Sequence, residues 1–328
     1  MYREKTKEGE IFGGPMYVIK NGLPKRMLPL AYFFALAGMI GCLPAFQSNQ
    51  LIQITGDLAF SEIENFNILG GLVLAGITGL VVIGGLKRIA EVATFLVPLM
   101  GSIYFGAMIV ALMLNLNLVL PAFKLIFVDA FNGTAIAGGT FFGVLIYGVR
   151  RGAFSNEAGM GTESLVHGVA KVSNPVKQGL VAMTGPIFDT LIICTATALM
   201  ILVSGVWETS SSQGVTLTAE AFSILLGNFG GLILFVCVIC FGLSTIFTYS
   251  YYGASCSRFL FGKFGMKFYI YLYILSIFIY SIVPIDIAIN IADGAFAMMA
   301  IPTLISALWL APKVMQASKN YFKLIDNN

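Results

Sequence analysis

Residues 66–86 read FNILGGLVLAGITGLVVIGGL, a run without a charged side chain. A stretch of about 18 or more predominantly apolar residues is long enough to cross the hydrocarbon core of a bilayer as an α-helix. Several glycines lie inside the run, and small residues let membrane helices approach one another closely. The stretch therefore predicts a transmembrane helix that packs tightly in a bundle.

The rest of the chain repeats this pattern. It has 328 residues, of which 58% are hydrophobic and 11% charged, whereas soluble domains carry about 25% charged residues. The apolar residues come in long blocks, and the alternation of an outer-membrane barrel is absent. We predict an all-α, polytopic membrane helix bundle. The eight predicted spans cover residues 28–54, 66–86, 94–118, 133–149, 178–205, 222–255, 268–285 and 291–311.

The basic residues predict how the chain lies in the membrane. If the N-terminus is cytoplasmic, 18 of the 19 Lys and Arg residues fall in cytoplasmic segments, and Lys124 is the exception. Cytoplasmic loops of membrane proteins are enriched in Lys and Arg. The opposite loops carry acidic residues, namely Asp57, Glu62, Glu64, Asp129, Glu208 and Glu220. We therefore expect both termini in the cytoplasm and no cleavable signal peptide in the polar residues 1–27.

Several classes of function lack support in the sequence. The net charge of +3 follows membrane topology, so we expect no nucleic-acid partner. Cys237 and Cys240 lie one helical turn apart without a second pair, which favours small packing residues over a metal or disulfide site. His167 is the one histidine and is expected on the surface. Catalytic serine, HExxH and phosphate-loop motifs are missing, so we expect no enzyme and no cofactor.

Residues 138–179 break the pattern of apolar spans. A glycine-rich apolar segment runs into Arg150 and Arg151 and then into the small, polar stretch FSNEAGMG. Ser155 or Asn156 could cap a following helix with Glu157 in its first turn. Two interpretations stay open: an interrupted helix beside a lumen, as in transporters, or a cytoplasmic loop with an amphipathic helix. Asn174 and Pro175 then predict the start of the next span, because Asn caps a helix and Pro suits its first position.

Two acidic residues fall inside predicted spans. Asp189 lies about four turns into the span 178–205, and Asp293 lies in the last span. An ionisable residue at membrane depth is a functional candidate by default. Both are candidates for a gating or structural polar role, and the alternative to a functional Asp189 is a structural carboxylate that is hydrogen-bonded to a neighbouring helix.

Hydroxyl side chains cluster in the span 222–255. Ser244 and Thr245 lie at its middle, and a hard cation such as sodium prefers oxygen ligands. Hydroxyls that bond back to their own helix are the alternative. Tyr249 could line a pocket, whereas Tyr251 and Tyr252 are expected in an interfacial aromatic belt.

Seven runs together resemble the alanine-or-glycine:cation symporter family. They are GGPMYVIKNGL at 13–23, FQSNQ at 46–50, VVIGGLKRIAEV at 81–92, RRGAFSNEAGMG at 150–161, NPVKQGL at 174–180, FDTLIICTATALMIL at 188–202 and STIFTYSYYG at 244–253. Their order and spacing match the family over essentially the whole chain.

The resemblance implies a sodium-coupled carrier of alanine, glycine or a similar small neutral amino acid in the plasma membrane, working by alternating access. It implies a leucine-transporter-like fold of two inverted five-helix repeats, with Na+ as the coupling ion. By residue-for-residue match, the substrate-facing candidates are Gln47, Asn49, Ser155, Asn156 and Tyr249. The hydroxyls expected at a sodium site are those of Ser244 and Thr245.

The same resemblance implies that the first repeat is incomplete. Family members carry three spans before the GGPMY run, and here Met1 stands just after that region. We therefore expect one transporter domain. Its parts are the cytoplasmic segment 1–27, the remainder of the first repeat 28–132, the second repeat 133–312 and the cytoplasmic tail 313–328. The alternatives to an active symporter are a transport-inactive remnant and a subunit completed by self-association or by a partner chain.

The predicted orientation can be tested with reporter fusions. Alkaline phosphatase fused after Ser211, in a loop expected outside the cytoplasm, should be active, because that enzyme works only outside the cytoplasm. The same reporter after Lys263 or at the C-terminus should be inactive, and green fluorescent protein at the C-terminus should fluoresce. The reverse pattern of activities would contradict the orientation.

Overall fold

The computed structural model describes residues 1–5, 9–131 and 140–326 and is mostly helical. Two short antiparallel strands and two helices begin the chain: β1 (Glu4–Lys5), β2 (Ile11–Phe12), α1 (Pro15–Gly22) and α2 (Leu28–Gly41). The next four helices are α3 (Ala45–Ala59), α4 (Phe66–Val82), α5 (Gly85–Leu114) and α6 (Leu116–Ala130).

The second half continues the helical pattern. Its first three helices are α7 (Thr140–Asn156), α8 (Glu163–His167) and α9 (Pro175–Pro186). A π-helical segment (Ile187–Cys194) joins α9 directly to α10 (Thr195–Ser204). The last helices are α11 (Val206–Thr209), α12 (Val215–Leu226), α13 (Asn228–Ile282) and α14 (Ile285–Asp326).

Five helical stretches of the described residues are long and apolar enough to cross a membrane. They are Lys25–Ala59, Gly85–Leu114, Pro175–Ser204, Phe229–Ile282 and Ile285–Ile325. Phe66–Val82 and Val215–Leu226 are shorter apolar helices. These lengths confirm a polytopic helical membrane protein. The predicted span 133–149 begins outside the described residues, and its remainder lies in α7.

The longest helix, α13, has room for two of the predicted spans. It has 55 residues, which at 1.5 Å per residue is roughly 80 Å and more than twice the thickness of a hydrocarbon core. Gly262 interrupts it with φ 68° and ψ −158°, a conformation open to glycine because it has no Cβ. The spans predicted at 222–255 and 268–285 therefore lie mostly on the two sides of one break.

One helix start follows its predicted sequence signal. The side chain of Asn174 caps α9, because its Oδ1 accepts a hydrogen bond of 2.9 Å from the backbone N–H of Val176. Pro175 occupies the first helical position, where a missing N–H costs nothing. This cap confirms the prediction that Asn174 and Pro175 open the helix.

Helix α13 forms the centre of the packing. It contacts α2, α3, α4, α5 and α12, and α14 packs against α2 and α3. The buried Tyr269 in α13 donates a hydrogen bond of 2.7 Å to the carbonyl of Met39 in α2. Tyr251 and Tyr252 are also buried. Their predicted place in an interfacial belt is therefore wrong, because both face the protein core on the central helix.

The close approach inside α13 generates a test. A Cβ added at Gly253 would lie 2.1 Å from the hydroxyl oxygen of Tyr269, so Gly253→Ala must displace a buried ring. We expect a loss of about 1–3 kcal/mol of stability, measured as thermal unfolding of the detergent-purified protein. The control is Gly76→Ala, where nothing lies within 4 Å of the added Cβ and alanine favours the helix. Equal melting temperatures for the two variants would contradict this packing.

Candidate functional site

A cavity of about 560 Å³ lies among α3, α5, α7, the π-helical segment, α12 and α13. Five predicted site residues line it, namely Gln47, Ser155, Asp189, Thr245 and Tyr249. They come from four parts of the chain that are far apart in sequence. The fold therefore brings five of the nine predicted site residues together in one place, with at least one from each predicted role.

The other predicted site residues are bonded outside the lining. Asn49 donates a hydrogen bond of 2.7 Å to the carbonyl of Val283, at the end of α13. Asn156 donates to the hydroxyl of Thr190 at 2.9 Å. Ser244 donates back to the carbonyl of Phe241 at 2.9 Å. None of these side chains is among the lining residues, and the roles of all the predicted site residues as ligands stay predictions.

Helix α7 ends beside the cavity. Its last residue, Asn156, accepts a hydrogen bond of 2.9 Å at Oδ1 from the backbone N–H of Ala158. Glu157 follows with φ 56°, and Gly161 turns the chain with φ 88°. The predicted helix with Glu157 in its first turn is therefore wrong, because this turn delays the next helix until Glu163.

The π-helical segment meets the end of α7. Ser155 donates a hydrogen bond of 2.6 Å to Asp189 Oδ2, and the Thr190 hydroxyl lies 3.4 Å from the same oxygen. Pro186 immediately precedes the segment and cannot donate a backbone hydrogen bond. Such i→i+5 stretches are often found at functional sites. This one turns Asp189 toward the cavity.

Glu157 is a cavity residue that the sequence analysis did not select. Its Oε1 accepts a hydrogen bond of 2.5 Å from the hydroxyl of Tyr249, which is 4% exposed. Glu157 also lines the cavity. The sequence does contain a signal for this role: Glu157 is an acidic side chain among small residues, in a stretch that separates two apolar segments.

An ion pair joins α7 to α14. Arg151 bonds Asp293 Oδ2, and Arg150 Nη1 lies 3.8 Å from the same oxygen. The Arg151 guanidinium also packs near the rings of Tyr147 and Phe154. In the sequence, both arginines are expected only as cytoplasmic charge beside a span. The structure instead gives Asp293 a cationic partner.

The cavity lining includes two carboxyl groups, and burial raises the pKa of one of them, Glu157. It contains Glu157, Asp189 and Arg151, but the charge of Arg151 is already matched by Asp293. Tyr249 and Ser155 donate to the two carboxylates and are neutral. A cleft of one sign with low-dielectric walls concentrates ions of the opposite sign. The arrangement is therefore suited to cations.

A second cavity of about 510 Å³ lies beside α1, α8 and α9. His167 lines it and is half-buried, with Nδ1 only 2.5 Å from Nε2 of Gln178. Burial lowers the pKa of His167, which favours the neutral ring that can accept this hydrogen bond. The prediction of a simple surface histidine is therefore corrected to a partly buried one.

The chain is similar in sequence to known membrane transporters. A sequence model of the family described as "Sodium:alanine symporter family" matches residues 1–328. The chain is 37% identical to the uncharacterized transporter YflA of Bacillus subtilis, over 98% of this chain and 69% of the relative. It is 35% identical to the sodium/alanine symporter AgcS of Methanococcus maripaludis, over 99% and 73%. It is 32% identical to the probable sodium/glutamine symporter GlnT of Bacillus subtilis, over 98% and 66%.

The ion pair between α7 and α14 generates a stability test. Asp293→Asn leaves Arg150 and Arg151 without their carboxylate, and Arg151→Gln leaves Asp293 with only the more distant Arg150. Removing one partner of a buried pair costs about 3–5 kcal/mol. Because Arg151 is 29% exposed, we expect each single variant to lower the free energy of unfolding by roughly 1–3 kcal/mol.

A double-mutant cycle measures the coupling of this pair. We expect an interaction energy of about 1 kcal/mol or more between Arg151→Gln and Asp293→Asn, measured by thermal unfolding in detergent. The control pair is Lys87 and Glu91, which are 3.9 Å apart and largely exposed, and such pairs couple by about 0–1 kcal/mol. Additive single effects at Arg151 and Asp293 would contradict a tie between α7 and α14.

Proposed function

The chain belongs to the sodium:alanine symporter family, and on this basis we propose that it carries a small neutral amino acid together with sodium by alternating access. The family is one of membrane transporters, and the helical stretches fit a membrane protein. The proposed substrate is alanine, glycine or a similar amino acid. Na+ is the proposed coupling ion, and no further cofactor is invoked.

The carboxylate of Asp189 in the lining of the central cavity carries this proposal. An amino acid at neutral pH has one ammonium and one carboxylate group, so its net charge is zero. Sodium adds one positive charge, and the pair together suits a lining in which Asp189 has no cationic partner among the described residues. A cation bound beside the carboxylate changes the charge that the amino acid meets in the cavity. The binding free energy of the amino acid therefore depends on the ion, which is what coupling requires.

The proposed binding residues are those predicted positions that line the cavity. Gln47, Ser155 and Tyr249 are proposed to contact the amino acid, because their amide, hydroxyl and phenol groups can bond its two charged ends. Thr245 is proposed as a sodium ligand through its hydroxyl oxygen. The aromatic ring of Phe154, which packs against Phe46, would limit the size of the side chain that fits.

The proposed setting is the plasma membrane, with eight spans and both termini in the cytoplasm. The spans would belong to two inverted five-helix repeats, of which this chain holds most. The relatives are longer, since the chain covers 69% of YflA and 73% of AgcS. The alternatives are a transport-inactive chain and a subunit that works with a second copy or a partner chain. An uptake assay separates them from the symporter.

The direct test is uptake of labelled alanine into proteoliposomes that contain only this chain. We expect an inward sodium gradient to drive accumulation above the level reached in potassium or choline. Unlabelled glycine, alanine, serine and glutamine added as competitors rank the substrates, and we expect the small amino acids to compete better than glutamine. A folded, monodisperse chain without sodium-driven uptake would contradict the proposal and favour the inactive or partner-dependent alternatives.

Two neighbouring hydroxyls provide a matched pair of variants. Thr245→Val removes an oxygen that lines the cavity and should raise the half-saturating sodium concentration about tenfold, or ~1.4 kcal/mol. Ser244→Ala removes a hydroxyl that bonds back to Phe241 and should change that concentration by less than about twofold. The measurement is alanine uptake as a function of sodium. The opposite ranking of the two variants would contradict a sodium contact by Thr245.

A further inference from the structure

Asp189 is a carboxylate in the middle of an apolar helical stretch. It lies in Pro175–Ser204, 14 residues from the start, which is about 21 Å along the helical axis. A charge at this depth is costly and needs a partner. Within residues 1–5, 9–131 and 140–326, the five ion pairs found do not include Asp189. Its negative charge is therefore unmatched by the cationic side chains described.

The basic residue that lines the same cavity is paired with another carboxylate. Arg151 lines the cavity together with Asp189, but its guanidinium bonds Asp293. The second cavity carboxylate, Glu157, already accepts the hydroxyl of Tyr249 at 2.5 Å. Asp189 and Glu157 thus both differ from Asp293, because their described partners are neutral. Of the two, Asp189 lies within an apolar helical stretch and is bonded by small hydroxyl and thiol groups.

The atoms around Asp189 are a suitable oxygen set for a small hard cation. Ser155 Oγ lies 2.6 Å and Thr190 Oγ1 lies 3.4 Å from Asp189 Oδ2. Hydroxyl hydrogens rotate freely, so an oxygen that donates to a carboxylate can also turn its lone pair toward an ion. Hard cations prefer carboxylate and hydroxyl oxygens. The described bonds reach Asp189 through Oδ2.

The backbone at this place supports the same conclusion. Asp189 and Thr190 belong to the π-helical segment, and Ser155 belongs to the last turn of α7. Asn156 fixes the distance between the two elements, because its Nδ2 donates to Thr190 Oγ1 at 2.9 Å. A helix end and an irregular helical segment therefore hold the three oxygens together beside the cavity.

We propose that Asp189, Ser155 and Thr190 form a binding site for the coupled sodium ion, on a different element from Thr245. The inference rests on the proposed function and deepens it, since it assigns a cation site to a carboxylate that would otherwise be a structural or gating residue. Sodium at this site joins α7 to the π-helical segment. Its binding therefore stabilises the end of α7 where Ser155 faces the amino acid.

The test is the thermal unfolding of the purified full chain, titrated with sodium chloride against choline chloride at constant ionic strength. A ligand that binds the folded state raises the melting temperature according to its concentration and affinity. We expect sodium to stabilise the wild-type chain. Asp189→Asn keeps the shape of the side chain, and we expect it to raise the apparent sodium dissociation constant about tenfold or more.

Three further variants make the test specific. Thr190→Val should weaken sodium binding by about threefold to tenfold, and Thr190→Ser, which restores the hydroxyl, should return it to near the wild-type value. Asp129→Asn removes an exposed carboxylate at the end of α6 and should leave the sodium response unchanged. Each variant is first checked for a monodisperse elution profile, so that misfolding is not counted as lost binding.

Three results would overturn the inference. The first is an unchanged sodium response in both Asp189→Asn and Thr190→Val. The second is a weakened response to alanine with an unchanged response to sodium, which would assign the carboxylate to the ammonium group of the substrate. The third is stabilisation of the wild-type chain by acid and not by sodium, lost in Asp189→Asn, which would assign a proton.

This measurement is independent of transport. A chain that binds sodium through Asp189 and yet fails to accumulate alanine would support the site and contradict the proposed function. A chain that accumulates alanine with the same sodium dependence in Asp189→Asn as in the wild type would overturn the site and leave the proposed function standing.

Discussion

Charged and strongly polar side chains among apolar helices must find partners, because an unsatisfied polar group in hydrocarbon costs several kcal/mol. Arg151 satisfies this constraint through Asp293, and Tyr249 satisfies it with Glu157. Each contact joins elements far apart in sequence. The need to match polar groups therefore determines how α7, α13 and α14 meet, and the apolar residues fill the space around these contacts.

One carboxylate deep in an apolar helical stretch is bonded by neutral groups among the described residues, and it gives the cavity its chemistry. Asp189 receives neutral hydroxyl donors but no described cationic partner. It lies where the regular backbone gives way, at the π-helical segment and beside the end of α7. Irregular backbone at membrane depth is tolerated where it is buried in protein or lines a cavity. The unmatched charge and the irregular backbone thus share a place, and a transported cation can supply the missing partner.

The helices could be predicted from the sequence because bilayer thickness sets the length of an apolar run. Residues 66–86 became the helix Phe66–Val82, and Asn174 caps a helix as expected. The path of the chain after Asn156 could not be predicted. Ser155 and Asn156 are typical N-cap residues, but a turn with positive φ at Glu157 follows them in place of a helix. The contact of Arg151 with Asp293 joins residues 142 positions apart, and no periodic pattern encodes such a pairing. Gln47, Ser155 and Tyr249 could be predicted because they lie in runs that resemble the family's motifs, and all three line the cavity.

The most direct test is equilibrium binding of labelled alanine to the purified chain at a series of sodium concentrations, with potassium holding the ionic strength constant. If one cavity holds both ligands, the alanine dissociation constant should fall as sodium rises, by about 5-fold to 150-fold between the two limits. Reciprocally, saturating alanine should tighten sodium binding by the same factor. Alanine binding of equal strength in sodium and in potassium would contradict a shared, cation-dependent site.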